Sequence, residues 1–283
     1  MIDKPAGPTS HDVVAAARRA LGERRVGHAG TLDPAATGLL IVLAGRATRL
    51  ARFVALLPKR YRGTIRFGSE TSTDDAAGEP VACDERWRER SDAEVAAALA
   101  RVAARPTQVP PRVSAKKVAG ERAYRRARRG EAVDLAAVPV SIALAAGGPL
   151  DRASGELVVD VACGSGTYVR AIARDVGREL GSTAHLATLR RLAIGPWRVE
   201  DAVPPAALEA GGGPPPLLPL PDAVRHLPAL EVDAARAEAI AHGRKIEAER
   251  RLEGPVAVFG AGRLLAVAEW REGRYAPLVV VAP

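Results

Sequence analysis

The feature that most constrains this fold is the segment at 203–221, VPPAALEAGGGPPPLLPLP, where proline and glycine accumulate and charged residues become scarce. Proline lacks a backbone donor and interrupts helices and central strands, so we expect no long regular element to cross this segment. The segment therefore predicts a linker at 203–221 between a large domain at 1–202 and a small domain at 222–283.

Periodicity before this linker predicts an irregular mixture of helices and strands. Apolar residues with helical spacing follow two expected N-caps, Ser10 and Ser91, and Ser91 is expected to form a capping box with Glu94. Alternation with a period of two begins at Tyr61. We expect helices at 10–21, 91–104 and about 167–180, strands at 61–68 and 156–162, a short helix passing into a strand at 37–43, and a polar loop at 71–78. Because βαβ alternation is not sustained, these elements favour an α+β fold with a mainly antiparallel sheet.

The tail after the linker is expected to be a small β-rich module. A short helical stretch at 233–241 precedes three compact apolar runs, VAVF, LLAVAEW and PLVVVA. Runs of this length between turn residues are typical of strands.

The positive charge of the chain is concentrated in two places. The net charge is +8, with +6 in residues 1–60 and +7 in the 19 residues from Arg112 to Gly130, while the rest is net negative. Concentrated cations suit a phosphate backbone, because each neutralised phosphate releases counterions. Four arginines between positions 122 and 129 have the spacing of one helical face, which is either an RNA-binding face or a solvated one.

The cysteine and histidine content excludes several kinds of site. Cys83 and Cys163 are too few for a disulfide framework or a four-ligand zinc site, and both suit a reducing cytoplasm. None of the five histidines has metal-ligand spacing with cysteine or acidic residues, so no metal is expected. We also expect no secretion signal and no membrane span, because no apolar window approaches the roughly 18 residues that a span needs.

The loop sequence RVGHAGTLDPAATG at 25–38 carries a candidate catalytic acid. Pro34 keeps Asp33 out of the right-handed helical region, and the glycines allow backbone to approach a ligand closely. One interpretation is a turn in which Asp33 caps local backbone groups. The other is a carboxylate presented at a loop tip beside His28, accessible to RNA.

Two further motifs admit both a structural and a functional interpretation. Tyr61 is either the first core aromatic of its strand or an aromatic that contacts a base. The run CGSGTYVR at 163–170 is a glycine-rich turn from strand to helix, a geometry that binds anions. We expect Cys163 to be a small buried residue rather than a nucleophile. Arg170, close to the positive end of a helix, calls for a carboxylate or phosphate partner.

Taken together, these motifs resemble the TruB-type tRNA pseudouridine-55 synthases, a family of stand-alone bacterial enzymes. The matching segments occur in the family's order: DKPAGPTSHDVV (3–14), GHAGTLDPAATGLL (27–40), KRYRGTIRFG (59–68), TDDAAGEP (73–80), PPRVSAKKVAGERAYRRARRG (110–130), CGSGTYVRAIARDVG (163–177) and HLATLRRLAIGPW (185–197). The resemblance implies the pseudouridine synthase fold, with flanking helices on a mixed, mainly antiparallel sheet. It also implies a basic RNA-binding insertion at about 110–130 and a PUA-like RNA-binding domain in the tail.

The resemblance also implies a set of functional residues. Asp33, Tyr61 and Arg170 are implied to be catalytic, with the arginine as ion-pair partner of the aspartate. Substrate or RNA contacts are implied for His28, Lys4, Lys59, Lys116, Arg125, Arg126 and Leu192. The implied reaction breaks the C1′–N1 bond of uridine 55 in the T loop and rejoins the base through C5, after the nucleotide has been flipped out. It gains and loses no atom, so neither cofactor nor metal is expected.

Two other functions stay open at this point. One is a tRNA-folding or tRNA-binding protein that does not require catalysis, and the other is a guide-RNA-dependent synthase acting on ribosomal RNA. The implied function predicts a cytoplasmic monomer whose partner is the T arm of tRNA.

Overall fold

The computed structural model of the chain describes residues 1–113, 135–208 and 217–282, together with the backbone of 117–118 and 121–122. The described helices are α1 (Ser10–Leu21), α2 (Ala51–Ala55), α3 (Asp92–Ala103), α4 (Val169–Glu179) and α5 (Ala234–Ala241). The described strands are β1 (Ile2–Lys4), β2 (Val26–His28), β3 (Thr37–Leu40), β4 (Val42–Ala44), β5 (Lys59–Phe67), β6 (Ser69–Thr71), β7 (Pro80–Cys83), β8 (Thr107–Gln108), β9 (Lys117–Val118), β10 (Glu121–Arg122), β11 (Val138–Pro139), β12 (Ile142–Ala146), β13 (Glu156–Cys163), β14 (Ala184–Ile194), β15 (Trp197–Arg198), β16 (Ala229–Glu231), β17 (Val256–Gly260), β18 (Arg263–Arg271) and β19 (Arg274–Val280).

The N-terminal part is built on a seven-stranded sheet. Its order is β1-β3-β14-β5-β13-β12, with β15 paired to β14, and its pairings are antiparallel except that of β3 with β14. Alternate residues of β5 and β13, such as Ile65 and Leu157, form a core with α3 and α4, where Leu99 and Ile172 are buried. The α+β fold with a mainly antiparallel sheet is therefore confirmed.

Helix α1 has the predicted bounds but a different N-cap. Thr9 forms a capping box with Asp12, in which each side chain accepts from the other residue's backbone N–H. Ser10, the expected cap, instead bonds through its hydroxyl to the carbonyl and N–H of Leu32, at 3.0 and 2.9 Å. Ser10 thus ties α1 to the loop that carries Asp33. Helix α3 has the predicted capping box.

The stretch 37–43 forms two strands and not the expected short helix. β3 pairs with β1 and β14, whereas β4 pairs with β2. Gly38 has a φ of +101°, and a Cβ there would lie 2.2 Å from the carbonyl oxygen of Arg191. Only glycine fits this crossing of two strands. The sequence did not predict β14, because polar residues interrupt its apolar pattern.

The C-terminal part is a four-stranded sheet of order β16-β17-β18-β19. The three apolar runs of the tail form β17, β18 and β19 as predicted, and α5 packs on this sheet around Val258 and Tyr275. A separate apolar cluster joins the two parts of the chain, because Leu50 and Phe53 meet Val267 and Val281. The described residues of the expected linker include short 3₁₀ helices at Pro205–Leu208 and Leu220–Val224.

Within the described ranges, no helix has the length and apolar character that crossing a membrane requires.

Candidate active site

The loop between β2 and β3 brings Asp33 to the first turn of α4. Arg170 Nε lies 3.0 Å from Asp33 Oδ2. The arginine side chain is only 10% exposed, whereas the aspartate side chain is 43% exposed. The carboxylate partner that the sequence required for Arg170 is thus present, and it faces solvent from a fixed position.

Arg170 is held by backbone as well as by carboxylates. Its Nη1 donates to the Thr73 carbonyl at 2.9 Å and its Nη2 to the Val113 carbonyl at 3.2 Å. Its Nε also lies 3.5 Å from Asp75 Oδ2. All three guanidinium nitrogens therefore have partners, and the Nε edge is presented to two carboxylates.

Asp75 is a site residue that the sequence reasoning missed. Its Oδ1 accepts from Thr73 Oγ1 at 2.6 Å and from the Ala77 N–H at 3.0 Å. The next residue, Ala76, donates its N–H to the Leu186 carbonyl of β14 at 3.0 Å. The motif TDDAAGEP contained this residue, but its acidic pair indicated only a polar loop.

A small cleft opens over this pair of carboxylates. Leu189 lines it, whereas the predicted residue Leu192 packs in an apolar cluster with Ile194 and Trp197. The two leucines differ in their place on β14: Leu189 pairs with Gly63 of β5, whereas Leu192 lies at a register shift between Arg191 and Ala193. The side chains relevant to chemistry that line the cleft are Asp33, Asp75, Arg170, Thr188 and Leu189.

Lys4 is placed inside the protein rather than on an RNA-binding surface. It is 0% exposed, and its ammonium donates to the carbonyls of Pro5, Pro8 and Pro34 at 2.8, 2.8 and 3.1 Å. Burial lowers the pKa of Lys4, while the Asp33 carboxylate opposes this. Lys4 thus holds the loop that presents Asp33 through the Pro34 carbonyl, and its implied substrate or RNA contact stays a prediction.

Lys59 is also buried, contrary to a surface contact with RNA. Its ammonium donates to the Ala55 carbonyl. Burial, helped by the Arg191 cation and opposed by Cys163, lowers the pKa of Lys59 to about 8. Cys163 is buried as expected, and burial raises the pKa of its thiol to about 11, so it is not a nucleophile at neutral pH.

Arg191 is a second residue that the sequence reasoning missed. It is 1% exposed and donates to the carbonyls of Leu39, Thr31 and Gly30 at 2.7, 3.2 and 3.0 Å. These carbonyls flank Asp33 in the chain, so Arg191 fixes the loop that carries Asp33 on β14.

Tyr61 lies opposite Arg191 in the pairing of β5 with β14. Its side chain is partly buried against the apolar core of α3 and α4. Burial raises the pKa of Tyr61, while Arg191 opposes this. The phenol is therefore protonated at neutral pH.

The remaining predicted contacts are only partly described. His28 ends β2 and meets the exposed His11 edge-on, with ring centroids 5.4 Å apart. Burial lowers the pKa of His28, and the nearby cations of His11 and Arg191 lower it further. The predicted contacts Lys116, Arg125 and Arg126 lie outside the described residues. No group of three potential metal ligands occurs in the part of the chain that the structure describes.

A larger apolar cavity of about 360 Å³ lies elsewhere, between β4 and the residues that lead into the C-terminal sheet. Its lining includes Met1, Ile41, Trp197 and Leu220. Its lining also includes Arg46 and Asp222, but among the described residues these two form no ion pair like that of Asp33 with Arg170, so the smaller cleft is the better candidate for chemistry.

Comparison with solved structures identifies the fold class to which this chain belongs. The chain matches the archaeal box H/ACA sRNP Nop10–Cbf5 complex with a TM-score of 0.68 and 22% identity, over 100% of this chain and 85% of that one. It matches a Cbf5–Nop10–Gar1 complex with a TM-score of 0.73 and 22% identity, over 100% and 84%. The chain thus shares the fold of these Cbf5-containing structures.

Sequence comparison then gives the family. A family model described as TruB family pseudouridylate synthase, N-terminal domain, matches residues 18–169, and one described as tRNA pseudouridine synthase II, C terminal, matches 227–282. Curated relatives named tRNA pseudouridine synthase B are 46% identical in Thermobifida fusca, over 100% of this chain and 97% of the relative, and 44% identical in Nocardia farcinica, over 100% and 92%. The chain belongs to the TruB family.

Proposed function

We propose that this protein isomerises uridine to pseudouridine in tRNA and that its target is position 55 of the T loop. The observation that carries the proposal is the Asp33–Arg170 pair, in which a solvent-facing carboxylate is held 3.0 Å from an enclosed guanidinium at the edge of a cleft. The relatives named tRNA pseudouridine synthase B support the tRNA substrate.

Asp33 is the proposed catalytic carboxylate. Arg170 binds Oδ2, which leaves Oδ1 free to meet the ribose of a flipped nucleotide. The carboxylate either attacks C1′ or removes the C2′ proton, and both routes break the C1′–N1 bond. Flipping the base out of its stack costs roughly a few kcal/mol, which phosphate contacts offset.

The later steps keep the atoms of the uridine. The released uracil turns within the cleft, C5 bonds to C1′, the C5 proton departs and N1 gains a proton. Because burial raises the pKa of Tyr61, its phenol offers a stacking surface and a hydrogen-bond donor rather than a phenolate base. The reaction leaves no product that a cofactor would have to accept.

The rest of the proposal concerns binding and organisation. A synthase domain at 1–202, with its basic insertion at about 110–130, and a PUA-like domain at 222–283 would share the tRNA. His28, Lys116, Arg125 and Arg126 remain proposed RNA contacts. We place the protein in the cytoplasm as a monomer acting on the T arm.

The test is tritium release from tRNA that carries 5-tritiated uridine, with a bare T-arm transcript as second substrate. The wild-type protein should release tritium from both, and mapping should place pseudouridine at position 55. Asp33→Asn keeps the shape of the side chain and removes its charge, so we expect conversion to fall by at least about 10³-fold. Filter binding should show a tRNA Kd within about threefold of wild type.

The outcomes separate the alternative functions. Tight tRNA binding without tritium release from the wild type would leave a tRNA-folding or tRNA-binding protein. Conversion that begins only when a guide RNA is added would indicate a guide-dependent synthase. Retention of full activity by Asp33→Asn would remove Asp33 from the mechanism.

A further inference from the structure

Helix α4 carries three arginines at intervals of four residues, Arg170, Arg174 and Arg178, which places them on one face. Arg170 belongs to the candidate active site. Arg174, one turn along, is equally enclosed, with 8% of its side chain exposed, whereas Arg178 is 57% exposed. Arg174 forms its ion pairs with Asp74 and Asp175 rather than with Asp33, so its burial needs a different explanation.

Arg174 holds the residue that precedes Asp75. Its Nη1 lies 2.8 Å from Asp74 Oδ2, and its Nε and Nη2 lie 2.9 Å from Asp175 Oδ1. Consecutive carboxylates of the turn, Asp74 and Asp75, thus meet consecutive arginines of the helix. The position of Asp75 against Arg170 depends on that of Asp74 against Arg174.

The turn needs this support because Asp74 is in an unfavourable state. Its φ is +61°, in the left-handed region, and the residue is only 7% exposed. Burial raises the pKa of Asp74, and the Arg174 cation opposes this. Without this guanidinium, the turn would bury a carboxylate that is opposed only by the weaker effects of the Arg170 and Arg178 cations.

Arg174 also holds a second segment beside the active site. Its Nη2 donates to the Val109 carbonyl at 2.8 Å, and Arg170 Nη2 donates to the Val113 carbonyl at 3.2 Å. The two arginines therefore clamp both the Asp74–Asp75 turn and the stretch 109–113. This stretch leads directly into the basic sequence at 114–130.

We propose that Arg174 is a positioning residue for the isomerisation, acting through Asp74 to set Asp75 against Arg170 and through Val109 to fix the start of the basic insertion. The proposal rests on the proposed function. It predicts an effect on the rate of the bound complex rather than on the affinity for tRNA.

The first test compares Arg174→Gln with Arg178→Gln. Arg178 is the matched control, because it lies on the same helix but forms its 2.5 Å ion pair with Glu70 of β6, and it acts on Asp74 only as a weaker, longer-range charge. With saturating enzyme, Arg174→Gln should slow single-turnover tritium release at least about tenfold with a tRNA Kd within threefold, and Arg178→Gln should change both less than twofold. A folded Arg174→Gln with the wild-type rate would overturn the proposal.

A double-mutant cycle distinguishes positioning from a general loss of structure. Asp75→Asn should slow the reaction, and adding Arg174→Gln should slow it little further, because both changes act on the same contact. Effects that multiply would overturn the route through Asp75. If Arg174→Gln fails to fold, Asp74→Asn takes its place in the cycle, since it removes the negative charge that Arg174 pairs with in the turn and leaves Arg174 paired with Asp175.

Hydrogen exchange separates this proposal from the proposed function. Arg174→Gln should raise amide exchange in 71–78 and 109–113, and Arg178→Gln should leave both segments unchanged. This result would support the clamp even if the wild type formed no pseudouridine, in which case only the proposed function fails. Unchanged exchange in both segments would overturn the clamp whatever the activity.

Discussion

Two groups of cations in this protein have opposite environments. The first group, here called the site cations, is buried around the loop that carries Asp33 and the residues that hold this loop. It consists of Lys4, Lys59, Arg170, Arg174 and Arg191. The edge arginines, Arg46, Arg49 and Arg52, are exposed, and they donate to the carbonyls of Val281, Val280 and Leu278 near and along β19 at 3.5, 2.9 and 3.0 Å.

The difference shows that cationic side chains have two structural roles, which depend on whether the side chain is buried or exposed. A buried cation is costly unless every donor has a partner, so each site cation fixes the backbone or carboxylates around it. An exposed arginine keeps its contact with water, so its hydrogen bonds cover the outer edge of a sheet at little cost and with little gain. Substitutions of the site cations should therefore have large effects on the reaction rate or on the free energy of unfolding, whereas substitutions of the edge arginines should have small effects on both.

The largest effect is expected at Arg170. Arg170→Met leaves Asp33 and Asp75 near each other without their shared cation, and breaking a buried pair costs about 3–5 kcal/mol. If that cost falls on the bound complex, single-turnover tritium release should slow by about 10²–10⁴-fold. Arg178→Met is the exposed control on the same helix and should stay within twofold. An equal loss of tritium-release rate in the two variants would contradict the difference between buried and exposed arginines.

Arg191 tests the same contrast through stability. Arg191→Met leaves three carbonyls of the catalytic loop without their donor, so urea denaturation should show a loss of about 3 kcal/mol in the free energy of unfolding. Arg190→Met is the adjacent control: its guanidinium is 42% exposed and bonds Asp3. It should cost less than about 1 kcal/mol. A loss at position 190 as large as that at 191 would contradict the comparison.

Lys59 makes stability depend on pH. Its pKa falls from 10.5 to about 8 on folding, because burial disfavours the charged form. Between these values the unfolded chain holds a proton that the folded chain has released, so stability should rise with pH by about 3 kcal/mol. Lys59→Met should lack this rise in stability. The difference in unfolding free energy between the variant and the wild type should therefore change between about pH 8 and pH 10.5. A difference that stays constant from pH 7 to 10.5 would show that Lys59 is not buried as a titrating group.

The smallest effect is expected at the edge arginines. Replacing both Arg49 and Arg52 by alanine should lower the free energy of unfolding by less than about 1 kcal/mol, because both side chains are exposed. Tritium release should remain within twofold of wild type. Thermal and urea denaturation measure the first quantity. A loss above 2 kcal/mol would place these arginines with the buried group.

The sequence by itself determined several local elements, and its resemblance to a family indicated the ion pair of Asp33 with Arg170. Capping residues and helical spacing were enough for α1 and α3, and alternation was enough for β5, because these signals act over a few residues. The loop around Asp33 and the turn before Arg170 were recognisable since their glycines and proline restrict the backbone locally. The order of these motifs was sufficient to indicate the family.

Only the tertiary structure decided which cations are buried and which residues meet. Lys4 and Lys59 were expected at the RNA surface because a lysine in a sequence carries no sign of its burial. Leu189 took the place of Leu192, and Asp75 and Arg191 joined the site, once β14 was inserted between β3 and β5. The physical reason is that burial and pairing arise from contacts between residues far apart in the chain, which local periodicity does not record.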